Sequence, residues 1–332
     1  MGNESVVLTH LGTSVPPYLR DCVHQLRLWN PVTTIYVILW RHHESGEFWS
    51  KLVSDYKVKI VYTDTLEPTP HHRRFLEYYA ANPSEVKFRE SYWSHVKERF
   101  FFLEELMNQE ELGHCIAMEY DILVYTPLEK LFAKLKSSHQ TLRMVRDNDE
   151  RGHPGFMYVP TADSIGDFNI YVTSVLKTQR TDMQCLADYA DSEPGAIHYL
   201  PVLTEARNRS IPERVSKTGH RTSSAFYLSE DSEYFEVLFD SLVVGQWLGG
   251  VDLRNTGGQK ISKFENESAL YSLSELGLSW EHSTLWRPIL DGRPLATIHV
   301  HSKALRCFLS DRPECPTDDY DPVEISSGLL KN

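Results

Sequence analysis

The sequence predicts an α/β protein whose mostly parallel central sheet is flanked by helices within a single large domain. Three observations predict it. The chain opens with short β-rich runs that alternate with helix-length amphipathic segments, the pattern of a sheet built through helical crossovers. No internal repeat and no shift in composition divides the 332 residues. A content of 41% hydrophobic and 11% aromatic residues suffices for one sizeable core and excludes wholesale disorder.

Ser5–Leu11 is a β-rich run closed by Gly12, and Pro16–Trp29 carries helical spacing with Pro16-Pro17 at its start. Ile35–Trp40 reads as a second strand, Gly46–Tyr56 as a helix, and Val58–Thr63 as a third strand ending at Asp64. Crossovers of this length set their strands parallel and adjacent. Tyr92–Met107 has apolar residues at Trp93, Val96, Phe100, Leu103 and Met107, spacings of three and four that predict a helix with a core-facing stripe. Lys97 and Glu98 fall beside that stripe and Arg99 further round. His114–Met118 forms a fourth strand that runs directly into Glu119-Tyr120-Asp121.

Beyond Asp121 the pattern gives a helix at Leu128–Leu135 and strands near Leu142–Val145 and Phe156–Val159. Helices follow at Ile165–Leu176 and Asp182–Tyr189, the second with Asp182 placed to cap its N-terminus. Glu205–Ser223 is polar and nearly free of large apolar residues, so it reads as a long basic loop carrying Arg207, Arg209, Arg214, Lys217 and Arg221. Residues 311–332 turn acidic and Pro-containing and read as a surface tail.

With 34 Lys+Arg against 46 Asp+Glu the formal charge is −12, which argues against nucleic acid as a partner. No apolar stretch approaches the roughly 20 residues of a membrane span, and the first residues lack a signal-peptide pattern. Five cysteines, odd in number and without CxxC spacing, fit a reducing compartment. A cytoplasmic location is the expectation, with a trimmed lumenal domain as the alternative that would read the same.

Three motifs could carry chemistry. Glu119-Tyr120-Asp121 stands at the end of an apolar strand, where alternate side chains project to one side. Paired carboxylates at the carboxyl edge of a parallel sheet suit a hard divalent cation, Mn²⁺ or Mg²⁺, with positions left open for phosphate oxygens. The same triplet also occurs as a plain acidic turn. Near the other end, Ile298-His299-Val300-His301-Ser302-Lys303 alternates so that His299, His301 and Lys303 share a face. Either imidazole could add a third ligand, and the lysine could pair with phosphate. In the third motif, Gly245-Gln246-Trp247-Leu248-Gly249-Gly250-Val251-Asp252-Leu253-Arg254-Asn255, Gly249 and Gly250 permit a sharp turn or a close backbone approach. Asp252, Arg254 and Asn255 supply polar groups and Trp247 a stacking platform; the same stretch also reads as a plain turn after a buried helix.

This order of parts resembles a GT-A glycosyltransferase, with a glycogenin-like succession of motifs and E-x-D in place of D-x-D. The resemblance rests on Thr9-His10-Leu11-Gly12 at the first strand end, the helix bearing Lys97-Glu98-Arg99, and Glu119-Tyr120-Asp121. Gly155-Phe156-Met157-Tyr158-Val159 is similar to the strand lining the sugar pocket. Asp182-Met183 is similar to the acidic helix start that meets the sugar or acceptor, and His301 with Lys303 to the C-terminal metal histidine and phosphate lysine. The His-to-Lys spacing is tighter than in glycogenin-like members, so His299 and His301 both stay candidate ligands.

The resemblance implies a nucleotide-diphosphate sugar as donor, a glycan or glycoconjugate hydroxyl as acceptor, and Mn²⁺ or Mg²⁺ on Glu119, Asp121 and a histidine. It implies a nucleotide-binding half at about 1–125 and an acceptor half at about 126–310. Thr9, His10, Gly12, Asp64, Arg99, Tyr120, Gly155 and Lys303 are the candidate donor-binding residues. Asp182 and Asp252 are candidates for the catalytic or acceptor role, with retention of configuration slightly favoured. The basic 205–222 loop could close over the donor. Two rivals remain at this level: a metal-dependent hydrolase using His299, His301 and carboxylates, and an inactive carbohydrate-binding module of the same fold.

Overall fold

The computed structural model describes residues 4–83, 92–138, 140–211, 226–261 and 263–317. Its main sheet contains Ser5–His10 (β1), Thr34–Leu39 (β2), Lys59–Tyr62 (β3), Cys115–Met118 (β4), Leu142–Asn148 (β6), Arg151–Val159 (β7) and Ile197–Tyr199 (β8). Ile122–Val124 (β5) lies outside it. The strand order is β3-β2-β1-β4-β7-β6-β8. β1 lies parallel between β2 and β4, β3 extends the parallel set beyond β2, and β8 runs parallel to β6. Only β7 runs against its neighbours. The sheet is thus mostly parallel, as expected.

Helices cover both faces: Tyr18–Trp29 (α1), Glu47–Tyr56 (α2), Pro70–Ala81 (α3), Tyr92–Gln109 (α4), Leu128–Ser138 (α5), Ala162–Ser174 (α6) and Asp182–Ser192 (α7). Short helices follow at Glu205–Ser210 (α8), Ser232–Phe235 (α9) and Val243–Gly249 (α10). β1 and β2 are buried almost throughout, because a parallel strand has helices above and below it. β4, from the expected first half, pairs with β7 from the second, so the two halves share one sheet and one core.

A small antiparallel ladder decides the site. Thr297–His299 (β12) pairs with β5 in the register Thr297 with Val124, Ile298 with Leu123 and His299 with Ile122. The residue after the acidic triplet is therefore laddered to the first C-terminal histidine. Leu278–His282 (β9), Trp286–Leu290 (β10) and Arg293–Pro294 (β11) form a separate three-stranded sheet.

Several elements differ from expectation for identifiable reasons. α7 is capped by Thr181, not Asp182: the Thr181 hydroxyl accepts from Gln184 N at 3.2 Å, and Gln184 Oε1 accepts from Thr181 N at 3.1 Å. Asp182 is left free for a long-range partner. β7 begins at Arg151 rather than Phe156, because the sheet absorbs Pro154 and Gly155 at a register irregularity against β6. α3 occupies a stretch with no element assigned from sequence, started by Thr69 accepting from His72 N at 3.2 Å with Pro70 in the first turn.

The apolar stripe of α4 divides. Phe100, Leu103 and Met107 are core, while Trp93 and Val96 are half-buried on a cleft wall. The alternation predicted through residues 298–303 stops at His299, where β12 ends and the chain turns, with Lys303 at φ 69°. Residues 205–210 form α8, capped by Thr204, where a loop was expected. Arg214, Lys217 and Arg221 of that loop lie outside the described residues, as does most of the acidic tail. The tail's first residues pack back: Asp311 accepts from His24 at 2.7 Å, and the Arg312 carbonyl accepts from Trp286 Nε1 at 3.1 Å. Cys22, Cys115, Cys185, Cys307 and Cys315 are all free thiols. Among the described residues, no helix is long and apolar enough to cross a membrane.

Candidate active site

The C-terminal ends of β1, β2 and β4 open into one cleft of about 1020 Å³. Ligand crevices form there in such sheets because the loops following parallel strands splay apart at this edge. Of the residues singled out from sequence, Thr9, His10, Gly12, Arg99, Glu119, Tyr120, Asp121, Asp182, Asp252, His299, His301 and Lys303 line it. Two are elsewhere. Asp64 is exposed and engaged by Arg41 at 2.6 Å. Gly155 sits behind the wall, its carbonyl accepting from Glu119 N at 2.8 Å, and a β-carbon there would press on the side chains of His153 and Ile122 at 2.8 Å.

At the centre, single ligand atoms of Glu119, Asp121 and His299 lie within 4.8 Å of one another. His299 Nε2 is 3.0 Å from Asp121 Oδ2 and 3.6 Å from Glu119 Oε2. Lys303 Nζ also donates to Asp121 Oδ2. Burial alone would raise the Asp121 pKa, but His299 and Lys303 outweigh it and hold the carboxyl well below its usual range. Glu119 is likewise lowered: burial opposes ionisation, and the Arg99 guanidinium at 2.5 Å overrides it. Two carboxylates and one imidazole are a donor set suited to Mn²⁺, and to Mg²⁺ with more retained water. The residues present fit such an ion.

Of the two candidate histidines, only His299 meets the carboxylates. His301 turns aside: its Nδ1 accepts the Asp252 backbone N–H at 2.9 Å. His153, from β7, completes the neighbourhood edge-on against His299 with centroids 5.0 Å apart. Its Nδ1 accepts Gly155 N–H at 3.1 Å. Burial lowers both His153 and His301 to about 3, so both rings are neutral at ordinary pH.

The placement of His299 depends on residues that sequence analysis did not single out. Asp240 is buried, and its carboxylate accepts from His299 N at 2.9 Å and from Val244 N and Gly245 N at 2.8 Å each. One side chain thus anchors β12 and the start of α10 together. Gly245 faces the same strand so closely that a β-carbon would lie 1.7 Å from the His299 carbonyl oxygen. Gly245 of the third motif therefore serves a close backbone approach to the His299 strand, whereas Gly249 faces the Ser302 side-chain hydroxyl and Gly250 the Ile261 backbone. The only local signal for Asp240 was an acidic residue shortly before a glycine-bearing helix.

Neither candidate catalytic acid is free. Arg99 spans Glu119 and Asp182, its second nitrogen 2.7 Å from Asp182 Oδ2. Asp252 is held by Arg254 at 2.6 Å and also accepts from the Arg254 backbone N–H at 2.9 Å. Tyr120 hydroxyl is 3.0 Å from His10 Nδ1, which closes the wall between β1 and the acidic triplet. Trp40 and His95 meet edge to face at 5.0 Å on the far side, an aromatic surface suited to a planar base. Gln246 Oε1 is buried in the cleft without a hydrogen-bond partner among the described residues. Of the basic loop, Arg207 grips Asp291 at 2.7 Å and Arg209 pairs with Glu205, so neither is directed to the cleft.

No protein-family model matches the chain, and no curated protein matches it in sequence. Solved structures resemble it at low level. Mouse xyloside xylosyltransferase 1 in its apo form is 10% identical, with 62% of this chain and 89% of that chain covered, at a TM-score of 0.41. The galactosyltransferase LgtC, in complex with donor and acceptor sugar analogues, is 11% identical over 67% of this chain and 81% of its own, also at 0.41. A cytidylyltransferase from Leptospira borgpetersenii serovar Hardjo-bovis is 5% identical over 60% of this chain and 76% of its own, at 0.38. Likenesses of this strength assign no activity.

Proposed function

We propose that this protein is a metal-assisted glycosyltransferase of GT-A type, moving a sugar from a nucleoside-diphosphate donor to a hydroxyl acceptor. The observation that carries the reading is the convergence of Glu119, Asp121 and His299 within 4.8 Å at the carboxyl edge of a mostly parallel sheet, in a cleft lined also by Lys303 and Arg254. Mn²⁺ or Mg²⁺ on those three residues would offset the charge that develops on a departing diphosphate. In the transfer, the bond from the anomeric carbon to the β-phosphate oxygen breaks, and one from the acceptor oxygen forms. The acceptor proton leaves on the released diphosphate.

The chain's own residues divide the work. Lys303 supplies a point charge beside the ligand carboxylate. Trp40 and His95 offer a stacking surface at the nucleoside end, with Thr9, His10 and Gly12 beside it. Arg99 holds Asp182 in place at the sugar end. Because Asp182 and Asp252 are each engaged by an arginine, neither is poised as a general base toward an acceptor. That favours retention, which needs no such base, over inversion. The hydrolase reading needs His299 and His301 to act as a pair on one ion, and His301 Nδ1 is already engaged by a backbone N–H.

Thermal shift with a panel of nucleoside diphosphates and Mn²⁺ tests the reading. One nucleotide with metal should raise the melting temperature, and Asp121→Asn should abolish that gain. No shift with any nucleotide overturns the proposal. A shift without turnover of the matching nucleotide sugar across an acceptor panel assigns the protein instead as an inactive binding module.

A further inference from the structure

Resting on that reading, we infer that His301 is a neutral hydrogen-bond donor to the phosphate oxygens of the donor substrate, and not a metal ligand. The tautomer of the ring decides it. A backbone N–H can only donate, so the 2.9 Å contact from Asp252 N requires a lone pair on His301 Nδ1. A neutral imidazole accepting at Nδ1 carries its proton on Nε2. His301 therefore offers the cleft an N–H and no lone pair, whereas a metal ion requires the lone pair.

The ring is held for this purpose at several points. Asp252, whose N–H sets the tautomer, is itself locked by Arg254 at 2.6 Å. The turn carrying His301 is closed by His301 N to the His299 carbonyl at 3.0 Å and Lys303 N to the Val300 carbonyl at 2.9 Å. Val300 N donates to the Asp121 carbonyl at 2.8 Å, which ties the same turn to the acidic triplet. His301 makes its bond to Asp252 N through Nδ1, which leaves Nε2 as the ring's remaining polar atom, and the side chain lines the cleft two residues from Lys303. Its ring centroid is 6.4 Å from that of His299, so the donor stands beside the candidate metal position. An oxyanion bridging metal and protein would meet Lys303 as a charge and His301 as a directed N–H.

Three measurements on the full chain test this. In ¹⁵N-histidine-labelled protein without nucleotide, long-range NMR should find His301 with its proton on Nε2; a proton on Nδ1 overturns the inference. Mn²⁺ alone should bind His301→Ala as it binds the wild type and should bind His299→Ala far more weakly. Loss of Mn²⁺ affinity in His301→Ala would make His301 a ligand and overturn it. Inorganic pyrophosphate at saturating Mn²⁺ should bind His301→Ala about 10- to 100-fold more weakly, as expected for a lost bond to a charged group. His301→Gln, which restores an N–H at a similar reach, should recover part of that loss.

Equal pyrophosphate binding by wild type and His301→Ala refutes the role of His301 and leaves the transferase reading intact. Failure of the wild type to bind pyrophosphate with Mn²⁺ refutes the transferase reading itself. If His301→Ala does not fold, the NMR result and His301→Gln decide the matter.

Discussion

Lys303 and His299 share a single oxygen, Asp121 Oδ2, so a lysine ammonium stands beside the position a divalent cation would take. On the proposed function, a divalent cation bound there would compete with Lys303 for one carboxylate until a phosphate arrived to receive the lysine. Lys303→Met should therefore raise Mn²⁺ affinity in the absence of nucleotide and lower nucleoside-diphosphate affinity in its presence, each by about tenfold. Calorimetric titrations of Mn²⁺, then of nucleotide at saturating Mn²⁺, check the opposed signs. A fall in both would mean that the lysine only maintains the shape of the site.

Arg99 bridges two carboxylates from different elements, Glu119 at 2.5 Å and Asp182 at 2.7 Å. Removing it leaves two largely buried negative charges near each other. Arg99→Met should destabilise the fold by about 3–5 kcal/mol. Asp182→Asn added to that variant should restore part of the loss, since it removes one of the stranded charges. Urea denaturation of the single and double variants measures the coupling.

His72 on α3 ties that helix to α4. Its Nδ1 is 2.6 Å from Glu105 Oε1, and its Nε2 is 3.6 Å from Glu98 Oε1. Burial opposes its charge, yet the hydrogen bonds and charges of Glu105 and Glu98 win and raise its pKa to about 9. A pKa raised in the folded state gives stability that is fully present below the unfolded value, near 6.5, and is lost as pH rises through 9. The unfolding free energy should fall between about pH 6.5 and 9, by on the order of 3 kcal/mol. His72→Gln should flatten that slope, a difference that denaturation at pH 6, 7.5 and 9 reads directly.

Gly245 has no space for a side chain, since its β-carbon would fall on the backbone of His299. Gly245→Ala should cost about 3 kcal/mol or more, because backbone cannot yield as a flexible side chain does. Metal affinity should fall with it, as α10 and β12 part and Asp240 loses its grip on His299 N. Gly113→Ala, where an added β-carbon meets nothing within 4 Å, is the matched control and should leave metal affinity unchanged.

Apart from α3, the helices and parallel strands of the first 125 residues were legible because their signals are local: a run of apolar residues, a crossover of helical length, a proline pair at a helix start. The exceptions are local conflicts that tertiary packing resolved. Pro154 and Gly155 hid the first half of β7, and the Thr181-Gln184 capping box took the role expected of Asp182. α4 was read as carrying one apolar stripe, but α3 and α6 bury its other side too, so Lys97, Glu104 and Glu105 lie inside the protein.

By itself, the sequence determined the α/β order and the position of an acid-x-acid triplet at a strand end, since hydrophobic period and chain direction suffice for both. Tertiary structure alone decided which histidine meets those acids, that Arg99 joins Glu119 to Asp182, and that Asp64 and Gly155 stay off the cleft wall. The reason is separation along the chain. His299 and Asp121 are 178 residues apart, and their meeting depends on the β5–β12 register and a glycine-lined approach that no local pattern encodes.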